Sequence, residues 1–278
     1  DQYNVLKASE VIQFIKEGKK FERNSIAFTV DDAYESFFLN GWPLFRDNNI
    51  PVTLFISSDM IDFSIPGYMS WEQIRQYIKE GGVIGQHTAS HMSLPLNASQ
   101  NVKSDILRSQ KRFKNELGFI PDLFAYPYGE ASNEVIDVLK ELNIKSAFGQ
   151  HSGPISHDTN VHYMPRFSIN ENFGDIDRFI FAAAAKPLII KNLLPLDMLV
   201  KNPNSLKVKF ELIDKKFSKN LQCFANPSNE WISISLIKDN KNISFEEIYE
   251  FKKGRVRLNC TLKYNKNWYW FGYQLLIM

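Results

Sequence analysis

Ser25–Val30 reads SIAFTV and runs directly into Asp31 and Asp32. This short apolar run, rich in β-branched and aromatic residues, reads as a strand buried on both faces. A second run, PVTLFI, occupies Pro51–Ile56, and shorter ones follow at Val83–Gln86, Leu123–Ala125, Ser146–Phe148 and His162–Arg166. Amphipathic stretches separate them: Tyr34–Asn48, Ser70–Glu80, Ser99–Leu117 and Asn133–Leu142. Strand alternating with helix at this rhythm predicts an α/β domain around a parallel sheet or barrel. Ser70 with Gln73 at the third helical position forms a capping-box signature, and Gly81-Gly82 closes that helix.

The pattern changes after Ala185. Residues 1–187 form the first expected domain. Residues 188–204, with two prolines and little periodicity, read as a linker. Residues 205–278 carry short alternating runs at Leu206–Leu212, Trp231–Leu236, Arg255–Leu262 and Trp268–Leu276, which predict a small all-β, sandwich-like domain. Within Asn267–Tyr273, strand alternation puts Trp268 and Trp270 on one face and Tyr269, Phe271 and Tyr273 on the other; a sandwich core is the expected destination.

The 278 residues carry 33 basic and 31 acidic side chains, a net charge of +2. That balance argues against a dedicated nucleic-acid binder. Residues 1–187 hold 18 basic and 23 acidic groups, and residues 188–278 hold 15 and 8. A basic second domain suits an anionic surface, the acidic domain beside it or an ordinary solvated face, and the solvated face is favoured. No apolar run has the length of a transmembrane helix. The chain opens at Asp1 without an initiating Met or a leader pattern, so a processed chain is expected. Cys223 and Cys260 are the only cysteines; they are too few for a disulfide framework, and their pairing stays open.

Three motifs fall where strands meet loops, the place where βα folds build sites. Thr29-Val30-Asp31-Asp32 puts two carboxylates at one strand end, where an N-cap is the alternative. His87-Thr88-Ala89-Ser90-His91 puts two imidazoles four residues apart, able to grip one metal ion. Thr88 stands where the zinc-protease pattern needs Glu, so that chemistry is excluded. Two histidines fall short of the usual three protein ligands, so a carboxylate must complete the set. Phe124-Ala125-Tyr126-Pro127-Tyr128-Gly129 constrains the backbone so that the Tyr128 amide can face a ligand oxygen.

In this order the motifs resemble the polysaccharide deacetylases with a NodB-homology domain, carbohydrate esterase family 4, over residues 5–185. The resemblance implies a distorted (β/α) barrel holding one divalent ion, zinc first, with cobalt or nickel as alternatives. It implies Asp32, His87 and His91 as ligands, Asp31 as general base and the Tyr128 amide as an oxyanion donor. The substrate implied is an N-acetylated polysaccharide or oligosaccharide, which places the protein outside the cytoplasm: secreted, periplasmic or at the cell surface. Two features depart from the family. Ala125 stands where an Arg usually pairs with the catalytic Asp, and Arg166 is the expected replacement. The Leu-x-His motif that supplies the general acid is absent, and His151 is the expected substitute, ahead of His157 and His162. Met60, Phe63, Tyr68 and Trp71 are candidates to line the groove, which the sequence leaves open. Two alternatives remain: a catalytically impaired glycan-binding protein that keeps its metal, and a hydrolase of a small amide.

Overall fold

The structure, a computed structural model, describes residues 3–19, 21, 24–201, 206–227, 230–247 and 253–278. The chain divides into two compact units. The first comprises Asp1–Tyr128, Glu134–Phe148 and Asn160–Tyr163; the second comprises Gly129–Asn133, Gly149–Thr159 and Met164–Met278.

In the first unit, β1 (Asn4–Val5) pairs in parallel with β2 (Ser25–Ile26), with helix α1 (Ala8–Lys16) between them in sequence. The main sheet has five parallel strands: β3 (Phe28–Val30), β4 (Val52–Ile56), β5 (Val83–Gln86), β6 (Leu123–Ala125) and β7 (Ser146–Phe148). Each strand pairs with the next in sequence, with no reversal of order. A sheet wound in one direction in this way makes half of a (β/α) barrel, and places every strand's carboxyl end on one rim.

Central β4 is buried along its whole length, as a strand covered on both faces must be. Helices α2 (Trp42–Asp47), α3 (Ser58–Asp62), α4 (Trp71–Lys79), α5 (Ser99–Leu117) and α6 (Asn133–Glu141) follow the strands in turn. The capping box on α4 is formed from both sides: Gln73 N donates to Ser70 Oγ and Ser70 N to Gln73 Oε1. Trp42, Tyr77, Ile74 and Phe113 bring three of these helices onto β4 and β5 in one apolar cluster. Gly85 is required in β5, since a Cβ there would lie 2.3 Å from the Phe55 ring.

Several expectations change in detail. The SIAFTV run is two strands, with β2 pairing to β1 and β3 to β4. The helix expected over Tyr34–Asn48 opens with a π turn at Phe37–Gly41, where Trp42 N donates to Phe37 O. Pro43 has no N–H for an ordinary bond one turn back, so the wider turn relieves the mismatch. His162–Arg166 is not a strand. A turn at Asn160, closed by His162 N donating to its Oδ1, interrupts it. Pro165 also lacks an amide N–H.

The second unit carries α7 (Ile176–Ala184) and two mainly antiparallel sheets. The six-stranded sheet contains β8 (Lys186–Pro187), β10 (Leu199–Val200), β12 (Gln222–Asn226), β13 (Ile232–Ile234), β16 (Gly254–Tyr264) and β17 (Asn267–Ile277). The four-stranded sheet contains β9 (Ile190–Leu194), β11 (Leu206–Leu212), β14 (Ile237–Asp239) and β15 (Asn242–Glu247). The stretch expected as a linker therefore supplies β9 and β10. Its pairing with β11 shifts register between Lys209 and Glu211, and such a bulge hides the two-residue period in the sequence. Residues 202–205, at the end of that stretch, lie outside the described residues.

The aromatic run divides as expected. Trp268 and Trp270 meet Phe181, while Tyr269 meets Phe217 and Phe271 meets Phe210 of the other sheet. Cys223 in β12 lies directly opposite Cys260 in β16, and the two form a disulfide.

Candidate metal centre

Asp31 and Asp32 leave the end of β3, His87 follows β5 immediately, and Tyr128 follows β6 by three residues, so all four stand on the carboxyl rim of the sheet. The donor atoms of Asp32, His87 and His91 lie within 4.8 Å of one another, the one such cluster among the described residues. Asp32 Oδ1 is 3.5 Å from His87 Nε2 and 3.2 Å from His91 Nε2.

His87 is buried, and its Nδ1 lies 2.7 Å from Ala125 O. A carbonyl can only accept, so Nδ1 carries the proton and Nε2 presents a lone pair to the cluster. Burial holds the His87 pKa below its ordinary value, against the opposing pull of the Asp31 and Asp32 carboxylates. A neutral imidazole nitrogen thus faces a carboxylate oxygen, an arrangement that a cation between them satisfies. Ligands about 2.1 Å from a tetrahedral ion sit about 3.4 Å apart, close to the spacings found here. The residues present fit a divalent metal.

The backbone around the site is held in unusual conformations. Asp32 (φ 77°), Ala33 (φ 59°), Thr88 (φ 67°), His91 (φ 57°) and Tyr128 (φ 61°) are all left-handed. Most other non-glycine residues with positive φ are asparagines in turns, where that conformation is cheap. For β-branched Thr88 it is costly, and such strain persists only where surrounding bonds over-determine it.

Those bonds are present. His87 N donates to Ile56 O (2.9 Å), and Ser57 Oγ donates to His87 O (2.6 Å). Ser58 N and Asp59 N at the start of α3 donate to Thr88 O (3.3 Å) and Ala89 O (3.0 Å). Thr88 Oγ1 accepts from His91 N at 2.8 Å. Asp105, buried on α5, accepts from Ala89 N at 2.8 Å and from Ser90 N at 3.4 Å. Arg108 then bridges Asp105 (2.9 Å) to Asp59 (2.7 Å).

Sequence reading missed Asp105, although a signal existed. Asp105 interrupts the apolar stripe of α5 that runs through Val102, Ile106 and Phe113. It also missed the backbone role of Ala125.

The Tyr128 ring packs edge-on against His91 at 4.7 Å, so this residue is brought to the cluster. The Tyr34 and Tyr68 rings pack at a tilt, 4.8 Å apart; burial, the contact with Tyr34 and the nearby Asp32 charge push the Tyr68 hydroxyl pKa well up. Of the other candidate groove residues, Phe63 is exposed. Trp71 instead turns to the core, packing on Phe113 and donating to Asp62 Oδ1 at 2.7 Å.

His151 and Arg166 fall in the second unit, beside each other. Arg166 N donates to His151 O (3.0 Å) and its Nε to Gly149 O (2.8 Å). Burial first, then the Arg166 charge, lower the His151 pKa to about 3. His162 Nε2 donates to Ile144 O at 3.1 Å, and exposed His157 lies 3.3 Å from Asp158.

Residues 18–147 match the family model for polysaccharide deacetylase. Over this stretch the chain is similar to the polysaccharide deacetylase family. The stretch contains the Asp pair, both cluster histidines and Tyr128, while His151 and Arg166 lie beyond its end. A poly-β-1,6-N-acetyl-D-glucosamine N-deacetylase of Staphylococcus aureus is 24% identical over 179 residues, covering 60% of this chain and 61% of the relative. The chain therefore aligns with about three fifths of that relative's length. The Streptococcus pyogenes deacetylase PplD in complex with acetate superposes with a TM-score of 0.57 at 17% identity, over 62% of this chain and 76% of that one. IcaB from Ammonifex degensii gives 0.56 at 20% identity, over 61% and 78%. Both likenesses are of fold, and they agree with a NodB-type half-barrel.

Proposed function

We propose that this protein is a metal-dependent N-deacetylase acting on a poly-N-acetylglucosamine-type polysaccharide, β-1,6-linked as in the name of the Staphylococcus aureus relative. The observation that carries this reading is the Asp32–His87–His91 cluster on the rim of a polysaccharide deacetylase half-barrel. Asp32, His87 and His91 hold the ion, zinc in this reading, which when bound supplies Lewis acidity toward the acetamide oxygen and acidifies water. Asp31 takes the proton of the attacking water. The new C–O bond forms as the acetamide C–N bond is broken, a proton reaches the departing amine, and acetate is released. The Tyr128 amide donates to the developing oxyanion.

Exposed Tyr34 and Tyr128 beside the cluster offer ring faces for sugars. The Cys223–Cys260 disulfide supports an extracytoplasmic location, since such bonds persist in oxidising compartments. Among the described residues no helix is long and apolar enough to cross a membrane.

The test is mass spectrometry of β-1,6-linked N-acetylglucosamine oligomers incubated with zinc-loaded protein and with Asp31→Asn. Acetyl loss with the wild type alone is expected. Turnover by Asp31→Asn overturns the base assignment. A wild type that binds the oligomers without acetyl loss favours the impaired glycan-binding alternative.

A further inference from the structure

The second unit contains a cavity of about 450 Å³, remote in sequence from the three strand-end motifs. Lys219, Lys238, Lys263, Asn220, Gln222 and Trp268 line it, and among the described residues no acidic side chain does. Two sheets contribute. Lys263 on β16 pairs in register with Trp268 on β17, and its Nζ lies 6.0 Å from the indole centroid. Lys238 comes from β14 of the four-stranded sheet and donates to Leu221 O at 2.8 Å, just ahead of β12. Lys219 sits in the turn that precedes Leu221.

None of the three lysines has a carboxylate partner within ion-pair distance among the described residues. Lys216, close by in sequence, does: its Nζ lies 2.7 Å from Asp214. Burial lowers the Lys238 pKa, a sign that its charge is held at a cost. Residues 188–278 as a whole carry 15 basic and 8 acidic groups. Three uncompensated cations around one hollow raise the local anion concentration. Trp268 is 38% exposed at its edge and presents apolar ring surface. The amides of Asn220 and Gln222 add donors and acceptors suited to hydroxyls.

We propose that this cavity is a binding site for an oligosaccharide bearing acidic substituents, carboxylate or phosphate, with a sugar ring on Trp268 and the acid groups among Lys219, Lys238 and Lys263. The sign of the charge separates it from the polymer of the proposed reaction, whose deacetylated sugars are cationic and are repelled here. A single-stranded nucleic acid fits less well. It uses a succession of stacking aromatics along a basic groove, and among the described residues Trp268 is the one aromatic lining the cavity.

The experiment is titration of the full chain, followed by calorimetry, with four probes. These are a galacturonic acid oligomer, a phosphorylated oligomannose, neutral maltohexaose and an oligo-dT. Binding of the galacturonate, the phosphorylated probe or both is expected, and the two arms identify which acid group is read. Affinity should fall on the order of tenfold between about 50 and 200 mM salt. Lys219→Glu/Lys263→Glu, which changes two exposed side chains, should abolish that binding, and Trp268→Ala should weaken it at least severalfold. An unchanged thermal melting curve of the second unit in each variant serves as the control for folding. The proposal is overturned if neither acidic oligosaccharide binds, if the double charge reversal leaves binding intact, or if maltohexaose or oligo-dT binds as well as the acidic probes.

Discussion

Removing the Asp105 carboxylate tests whether helix α5 holds the two-histidine loop in its ligating shape. Asp105 is 3% exposed and Ala89 is fully buried. In Asp105→Ala the Ala89 N–H loses its 2.8 Å acceptor and finds no water to replace it. A buried, unsatisfied amide costs about 1–3 kcal/mol, toward the upper end when the lost acceptor was charged. The 3.4 Å bond from half-buried Ser90 adds little. Arg108 keeps Asp59 as a partner and is half exposed, so its loss is small. The expected destabilisation is about 2–4 kcal/mol. Loosening the left-handed turn at Thr88 should also weaken zinc by about 10–100-fold, as is usual when an outer-shell support is removed. Asp105→Asn keeps an acceptor for Ala89 N and should lose less of both. Denaturant unfolding of the zinc-free protein gives the stability, and competition with a chelating dye gives the affinity. Zinc affinity within about twofold of wild type in Asp105→Ala would refute the reasoning, because the histidine loop would then hold its shape without α5.

The disulfide closes a sequence separation of 37 residues, for which chain entropy gives about 4 kcal/mol. Cys223→Ala/Cys260→Ala should lower the melting temperature of the second unit while zinc affinity of the first is retained; an unchanged melting curve would contradict this. His151 has its pKa depressed from 6.5 to about 3 in the folded chain, so the unfolded chain takes up that proton first. Stability should therefore fall by about 1.4 kcal/mol per pH unit as pH drops from about 6.5 toward 3, and be unaffected by this group above that window. His151→Gln should flatten that limb in pH-dependent unfolding; an equally steep limb would place the acid sensitivity elsewhere.

The sheet and the Asp32–His87–His91 cluster were legible because their signals are local. PVTLFI has one reading as a buried strand, and two histidines four residues apart after Val83–Gln86 can converge on one ion. Asp32 joins them because it ends β3, which pairs with β4 and so stands two strands from β5. What supports these residues was not legible, because it depends on contacts across the fold. Asp105 lies 16 residues from the amide it holds, and the carbonyl of Ala125 lies 38 residues from His87. The carbonyl carries no side-chain signature at all. In the second unit, β9 was hidden by a bulge; the strand expected at His162–Arg166, which straddles the unit boundary, was broken by the turn from Asn160 to His162 and by Pro165. Cysteine pairing needed the register of β12 on β16, which spacing alone does not give.

The most direct measurement is stepwise addition of Zn²⁺ to metal-stripped protein, with acetate release from β-1,6-linked N-acetylglucosamine oligomers followed at each step. The account predicts activity that rises linearly and saturates at one ion per chain in the wild type, with no recovery in His87→Ala or Asp32→Ala. Acetate release that survives stripping, or that returns in those variants, would contradict it.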